Sequence, residues 1–347
     1  MSNNSLKNIS AWNCKQIQVA SKNEKLNLGI DPIEFDLGEF DNKYFRRKLV
    51  CGHIGFQKFI EHKKRGKRTV QITGIAPTGS LHFGHIPIIE TYLHFNSLGI
   101  ESKFVIADID AFISRSVAKV ANKNHVLDKS VEAIANLLSM GVGKDQIYLQ
   151  SKQQAKYYEL AFDISKYLDF EYLFSTYNDL DVGRTSANLL QYSDMLHLQL
   201  KEFGGKALSV SPVGVDQLSH ARTVLGIVKK TKPSFTNPSF VFVDHLRGIK
   251  ANTKMSKSDI NNTIFLNDTE DAALNKLKKA DTNFFISYLS FFGPDNQKLP
   301  AGIGNSKTSP SKKELFKICL DDILECISKQ TTKFEKKLKI AEKIVYG

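Results

Sequence analysis

Apolar positions along this chain follow two periods, and their alternation sets the expected architecture. Val70-Gln71-Ile72 is a short apolar run leading into the polar, glycine-rich stretch Thr73 to His85. Beyond it Ile88, Tyr92 and Phe95 recur at the spacing of one helix face. Lys103 to Asp110 is continuously apolar until it closes on Asp108 and Asp110, the form of a buried parallel strand that delivers carboxylates to its C-terminal edge. Leu127, Val131, Ile134 and Leu138 mark an amphipathic helix that Gly141-Val142-Gly143 ends, and Gln146 to Gln150 reads as a third strand. Residues 153–202 read mostly as helix with a break near Asp179 to Arg184. Leu208 to Gln217 is a further strand, followed by a helix through His220 and Arg222. Asp268 is placed to cap a helix running to about Lys279, residues 292–313 have the composition of a loose linker, and a pair of helices is expected from about Lys313 to Ile344.

Alternating strands and helices predict an α/β chain with a Rossmann-like, doubly wound parallel sheet. The divisions read as an N-terminal extension over 1–58, with a short helix from Phe56 to Lys63 at its edge, a Rossmann-like catalytic domain over 59–262, and a C-terminal helical domain over 263–347.

Candidate chemistry concentrates at strand ends. Thr73 to His85 lies where a strand turns into a helix, the position at which open parallel sheets take ligands and a helix N-terminus offers free N–H groups to phosphate. Gly74, Gly79 and Gly84 would admit a ligand close to the backbone, and His82 and His85 would point to one side as a pair of donors. Taken alone, a Gly/Pro-rich loop with two incidental histidines explains the stretch equally well. Lys254-Met255-Ser256-Lys257-Ser258 supplies lysines that can bind and release a phosphate chain, although such a string by itself is more often a solvated loop. Asp194 falls among apolar neighbours and needs a partner or a structural hydrogen bond; Asp216 and Gln217 end the Leu208 strand.

Composition narrows the class. A length of 347 residues suits one large α/β domain and a smaller second one, and the formal charge of +12 suits either a polyanionic partner or simply a soluble surface. Cys14, Cys51, Cys319 and Cys326 lack zinc spacing and read as reduced thiols of a cytoplasmic protein. With a polar start and no apolar run of membrane-spanning length, neither a secretion signal nor a membrane span is expected.

In this order, Pro77-Thr78-Gly79-x-x-His82-x-Gly84-His85 and Lys254-Met-Ser-Lys-Ser258 resemble the class I aminoacyl-tRNA synthetases. Within that class the chain is similar to tryptophanyl-tRNA synthetases of archaeal and eukaryotic type, through Phe45-Arg46-Arg47…His53, Leu190-Gln-Tyr-Ser-Asp-Met-Leu-His197, Glu202-Phe-Gly-Gly205 and Pro212-Val-Gly-Val-Asp-Gln217. The resemblance implies activation of tryptophan by ATP with Mg2+, transfer to tRNA(Trp), and a homodimer joined by the region after the second strand. It implies that His82, His85, Lys254 and Lys257 act on the phosphates, with Gly74, Pro77, Thr78, Gly84, Asp216, Met255 and Ser256 around ATP. Ile72, Asp110, Gln191, Asp194 and Gln217 would surround the amino acid, with Asp194 meeting the indole N–H. The tyrosyl relatives carry a tyrosine at the position of Ile72, so an aliphatic wall favours indole over phenol. This sequence departs from the eukaryotic pattern in having no glutamine between Phe104 and Asp110. It also carries Phe284 to Tyr288 and the linker where the family has a glycine-rich segment, which implies weaker anticodon reading. A tyrosine--tRNA ligase, an adenylate-forming paralog that does not charge tRNA, and a nucleic-acid-binding module without catalysis are the other readings.

Overall fold

The computed structural model describes residues 29–115, 122–176, 180–231, 234–250, 253–293 and 311–347. Six strands form one sheet: β1 (Val50–Ile54), β2 (Thr69–Ile75), β3 (Glu101–Ile106), β4 (Ile147–Leu149), β5 (Leu208–Gly214) and β6 (Ser239–Val243), in the order β1-β6-β5-β2-β3-β4. All neighbours run parallel except β1, which pairs antiparallel with β6, so the sheet is mixed rather than wholly parallel. β6 carries the continuous apolar run Phe240 to Val243, and β1 lies within the stretch read as an N-terminal extension.

The sheet is buried on both faces, as parallel sheets are. Val241 and Val243 face the larger apolar cluster, while Phe240 and Phe242 face the second, against α8 (Leu218–Thr231). Besides α8 and the single helical turn Lys43–Arg46, the α-helices among the described residues are α1 (Phe56–Lys64), α2 (Ile86–Ser97), α3 (Asp108–Ile113), α4 (Lys123–Met140), α5 (Ala155–Ser165), α6 (Phe170–Thr176), α7 (Val182–Leu196), α9 (Glu270–Lys279), α10 (Thr282–Phe292) and α11 (Lys312–Tyr346). α4 ends as its glycines predict, with Gly141 at φ 105° closing the last turn.

Several local expectations are corrected. Asp108 and Asp110 sit on α3, one step beyond the strand, because β3 stops at Ile106. The cap of α9 is Thr269, whose hydroxyl accepts from Ala272 N; Asp268 instead accepts from Phe265 N and pairs with Lys276 at 2.7 Å. The tail is a single 35-residue helix, opened by a Ser311–Glu314 capping box, rather than a helix pair. It stays continuous because Leu315, Cys319, Ile323 and Ile327 recur on one face against α4, α9 and α10, and Gln330 donates to Asn136 across the α4 contact. Arg47, within the motif Phe45-Arg46-Arg47, ties that turn to the end of α10, its guanidinium donating to the carbonyls of Ser290, Phe291 and Gly293. Cys51 is disulfide-bonded rather than reduced, whereas Cys319 and Cys326 are free thiols. Most of the expected linker, residues 294–310, lies outside the described residues.

Candidate functional site

β2 and β5 pair only from Thr69 to Gln71 against Leu208 to Val210; beyond that they part, and Thr73 Oγ1 reaches Pro212 O at 2.8 Å. This is where chain order reverses in the sheet, so the strand ends open a crevice outside the carboxyl edge. The cleft encloses about 860 Å3. Gly74 is required by packing rather than by a ligand: a Cβ there would lie 1.9 Å from Val105 Cγ1.

On one side stand the two loops. Leu81 to Phe83 pairs with Ile264 to Leu266, through Phe83 N to Ile264 O at 3.2 Å and Leu266 N to Leu81 O at 2.9 Å. That pairing lays the lysine loop over the glycine loop, with a Gly79 Cβ position only 3.2 Å from Lys257 Cβ. Lys257 Nζ donates to Ala76 O at 2.6 Å, and burial, followed by the nearby Arg115, holds its ammonium down to about 8. Lys254 Nζ donates to Asp216 Oδ2 at 2.9 Å. Burial would raise the Asp216 carboxyl, but His245 and Lys254 outweigh it and leave it below the usual carboxylate range.

His82 and His85 flank a short 3-10 turn, Phe83–His85, with ring centroids 3.9 Å apart. His85 Nδ1 accepts from His82 N at 3.1 Å and His82 Nδ1 accepts from Gly84 N at 3.2 Å. His82 therefore carries its proton on Nε2 when neutral, whereas His85 Nδ1 lies 3.1 Å from His82 O as well and donates to it in the other tautomer. Burial, with Lys257 next, pushes His82 down to about 3, and burial with His82 takes His85 well below its ordinary value. The pair donates as neutral imidazoles.

The deep end of the cleft is built around Asp194 on α7, which is 5% exposed. Tyr148 and Tyr157 hydroxyls donate to its Oδ1 at 2.7 and 2.8 Å, and Gln150 Nε2 donates to Oδ2 at 2.7 Å. Burial raises its carboxyl to about 7 despite these three donors. Gln150 in turn accepts from Asp110 N at 3.1 Å, which fixes α3 against the carboxylate. Behind Asp194 lies His197, whose Nδ1 sits 3.1 and 3.0 Å from the Ser193 and Asp194 carbonyls and whose ring meets Tyr148, Tyr157 and Phe203 edge-on. Gln191 Nε2 donates to Gln217 Oε1 at 3.0 Å, and Ile72, 2% exposed, supplies an apolar wall.

Of the residues singled out in the sequence for the site, Pro77, Gly79 and Asp108 are absent from the cleft wall. Those overlooked include His245, Gln150, Arg115 and Arg184 in the wall, with Tyr148 and Tyr157 behind Asp194. Tyr148 lies on a strand that was recognised, and Gln150 stands one residue past its end. His245 follows an apolar run that was passed over.

The family described as tRNA synthetases class I (W and Y) matches residues 63–285. The tryptophan--tRNA ligase of Hyperthermus butylicus is 32% identical over 266 residues, 73% of this chain and 70% of that protein. The tryptophan--tRNA ligase of Methanocaldococcus jannaschii is 29% identical over 287 residues, 80% of this chain and 76% of that one. The crystal structure of the tryptophanyl-tRNA synthetase from Aeropyrum pernix K1 superimposes with a TM-score of 0.86 at 24% identity, covering 95% of this chain and 98% of that chain.

Acid stability should report the buried imidazoles. His82 and His197 are held down to about 3 and about 4, burial being the first cause for both. The unfolded chain therefore takes up these protons first as pH falls, so stability intact above about pH 6.5 is lost toward pH 4, by up to about 1.4 kcal/mol per pH unit per ring. Asp194 works in the opposite sense, because a carboxyl raised to about 7 contributes stability that is lost as pH rises through that value. Urea midpoints at pH 7 and pH 5 should fall more for the unaltered protein than for His197→Gln; equal slopes would show that His197 is not held neutral.

Proposed function

This chain belongs to the class I tRNA synthetases of the tryptophan and tyrosine type, and from that membership we propose that it is a tryptophan--tRNA ligase. The tryptophan carboxylate attacks the α-phosphorus of ATP, pyrophosphate leaves, and the acyl group of tryptophanyl-adenylate passes to the 3′ end of the tRNA for tryptophan with release of AMP. The observation that carries this reading is the meeting, across one cleft, of the His82–His85 turn, the Lys254–Ser258 loop and the buried Asp194. In-line displacement at phosphorus asks the protein for position and charge more than for covalent chemistry, and neutral donors in a dry cleft meet that need.

His82 and His85 donate to the phosphates, and Gly84 lets the adenosine approach. Gly74, Pro77 and Thr78 shape the loop beneath the nucleotide, while Met255 and Ser256 cover it from the lysine side. Lys254 and Lys257 neutralise the departing pyrophosphate; a phosphate arriving near Lys257 favours its charged form. Asp216 holds the ribose. Gln217, with Gln191 bonded to it, meets the ammonium or carboxylate of the amino acid, and Asp110 adds a second charge for the ammonium. Asp194 accepts from the indole N–H, while Ile72 offers no partner to a phenol hydroxyl. Magnesium enters as part of the ATP substrate. Among the described residues no cluster of three or more His, Cys, Asp or Glu side chains could hold a metal by itself.

We further propose a homodimer, acting in the cytoplasm. The Leu127-to-Leu138 face of α4 is taken up by α11 and the sheet within the chain, so the supporting feature is instead the exposed rings of Phe162, Phe170 and Phe174, at 76%, 63% and 61%, the last two stacked 6.3 Å apart. No helix among the described residues is long and apolar enough to cross a membrane. With the tail forming one helix rather than a separate glycine-rich module, recognition of tRNA falls mainly on the acceptor end.

Pyrophosphate exchange is expected with tryptophan and not with tyrosine; the reverse would move the substrate to tyrosine while leaving the class intact. Lys257→Ala should lower the exchange rate by about 10²–10³-fold with little change in tryptophan affinity, the scale for losing one preorganised charge-stabilising contact. Since an ionised carboxylate accepts the indole N–H more strongly than a protonated carboxyl, tryptophan affinity should weaken as pH drops below about 7, the value to which burial raises Asp194. Calorimetry should show a loss approaching about tenfold per pH unit, absent in Asp194→Asn. For assembly, Phe162→Asp with Phe170→Asp should convert a sedimenting dimer into a monomer of 39.0 kDa; a monomer in the unaltered protein at micromolar concentration would dismiss the dimer.

A further inference from the structure

One side chain in the cleft has no role in the scheme above. His245 stands just past β6, its backbone N donating to Asp244 Oδ1 at 2.8 Å. Its Nε2 is enclosed and has no hydrogen-bond partner. The acceptor facing it is Asp216 Oδ1 at 3.5 Å, beyond the range of a direct N–H···O bond. The opposite carboxylate oxygen, Oδ2, is taken by Lys254 Nζ. At 3.5 Å the two atoms stand side by side with no room for an atom between them, but a single hydroxyl lying beside both can come within hydrogen-bond reach of each.

The juxtaposition is built into the strand ends. Gly214 closes β5, and a Cβ on it would lie 2.6 Å from Asp216 Oδ1 and 2.9 Å from His245 Cε1. The absence of that side chain is what allows carboxylate and imidazole to stand together at the mouth of the crevice. Burial holds the His245 imidazole below its ordinary value, so at neutral pH it is an uncharged donor that does not bond Asp216 as an ion.

The geometry points to His245 as a nucleotide-binding residue that, with Asp216, receives one ribose hydroxyl of ATP: the imidazole Nε2–H donates to the hydroxyl oxygen and the hydroxyl donates to Asp216 Oδ1. This rests on the assignment of Asp216 to the ribose and deepens it. A hydroxyl is both donor and acceptor, and so it fits a site that offers one of each. A deoxy sugar would leave both protein groups unpaired, and sites built to bond a hydroxyl reject the analogue lacking it.

The test uses ATP, 2′-deoxyATP and 3′-deoxyATP with the unaltered protein, His245→Ala and His245→Gln. Calorimetric nucleotide binding is read beside tryptophan-dependent pyrophosphate exchange. The unaltered protein should favour ATP over one of the two analogues. His245→Ala should weaken ATP by about 3- to 10-fold, the usual range for one net hydrogen bond, and leave that analogue within about twofold, so that the preference collapses. His245→Gln, which keeps an N–H at comparable reach, should recover part of it. Retained tryptophan affinity shows that each variant is folded. Equal weakening of ATP and both analogues, or no weakening of ATP, overturns the role of His245 while exchange by the unaltered protein leaves the synthetase reading standing. Normal nucleotide discrimination without amino-acid-dependent exchange overturns the synthetase reading and leaves His245 in place.

Discussion

The site depends on a short backbone pairing between two segments far apart in the chain, Leu81 to Phe83 and Ile264 to Leu266. Each loop next to that pairing is polar and glycine-, serine- or lysine-rich, and neither has enough apolar surface to order itself against the entropy of a free loop. Joined by their backbones, with Ile264 and Leu266 inserted into the main apolar cluster, they become one surface. Asn262, buried beneath, donates to Lys254 O and accepts from Lys250 N, which ties the lysine loop down from below. The phosphate-facing groups thus inherit their positions from the core.

Burial then decides what those groups are. In water His82 would be part protonated near neutrality and Asp194 wholly ionised, yet desolvation drives the first to about 3 and the second to about 7. One cleft therefore holds neutral donors at its phosphate end and a carboxylate near its titration point at its far end. The separation follows from the elements: the histidines lie on a helix entry under two lysines, whereas Asp194 is ringed by hydroxyls and an amide from β4 and α5. Asp216, between them, stays ionised with Lys254 Nζ bonded to its Oδ2.

Much of this was readable in the sequence. Strands ending in Gly-rich or acidic residues, and two loops with spaced histidines and lysines, are local patterns, and the cleft gathers nearly all of the residues they marked. What was not readable was non-local. An antiparallel edge strand such as Val50–Ile54 carries no alternation that separates it from a loop, and it becomes a strand only because β6 offers an unpaired edge. The donors to Asp194 come from Tyr148, Gln150 and Tyr157, and nothing short of the fold says that they converge. Thr269 displaced Asp268 as the helix cap because Lys276 and Phe265 N already claimed the carboxylate. His245 was missed because a lone histidine after an apolar run carries no motif.

The long helix over Lys312–Tyr346 bears on how the chain is made. It covers α4 and closes the face of the larger apolar cluster with Leu315, Cys319, Ile323 and Ile327. At 1.5 Å per residue it is about 50 Å long, and Tyr346 at its far end bonds Asp128 near the start of α4. A nascent chain that has emerged from the ribosome only as far as α10 already holds every side chain of the cleft, but the outer face of α4 is bare. That apolar face must wait, shielded or at risk of sticking to its neighbours, until the last helix has been synthesised and can be laid against it.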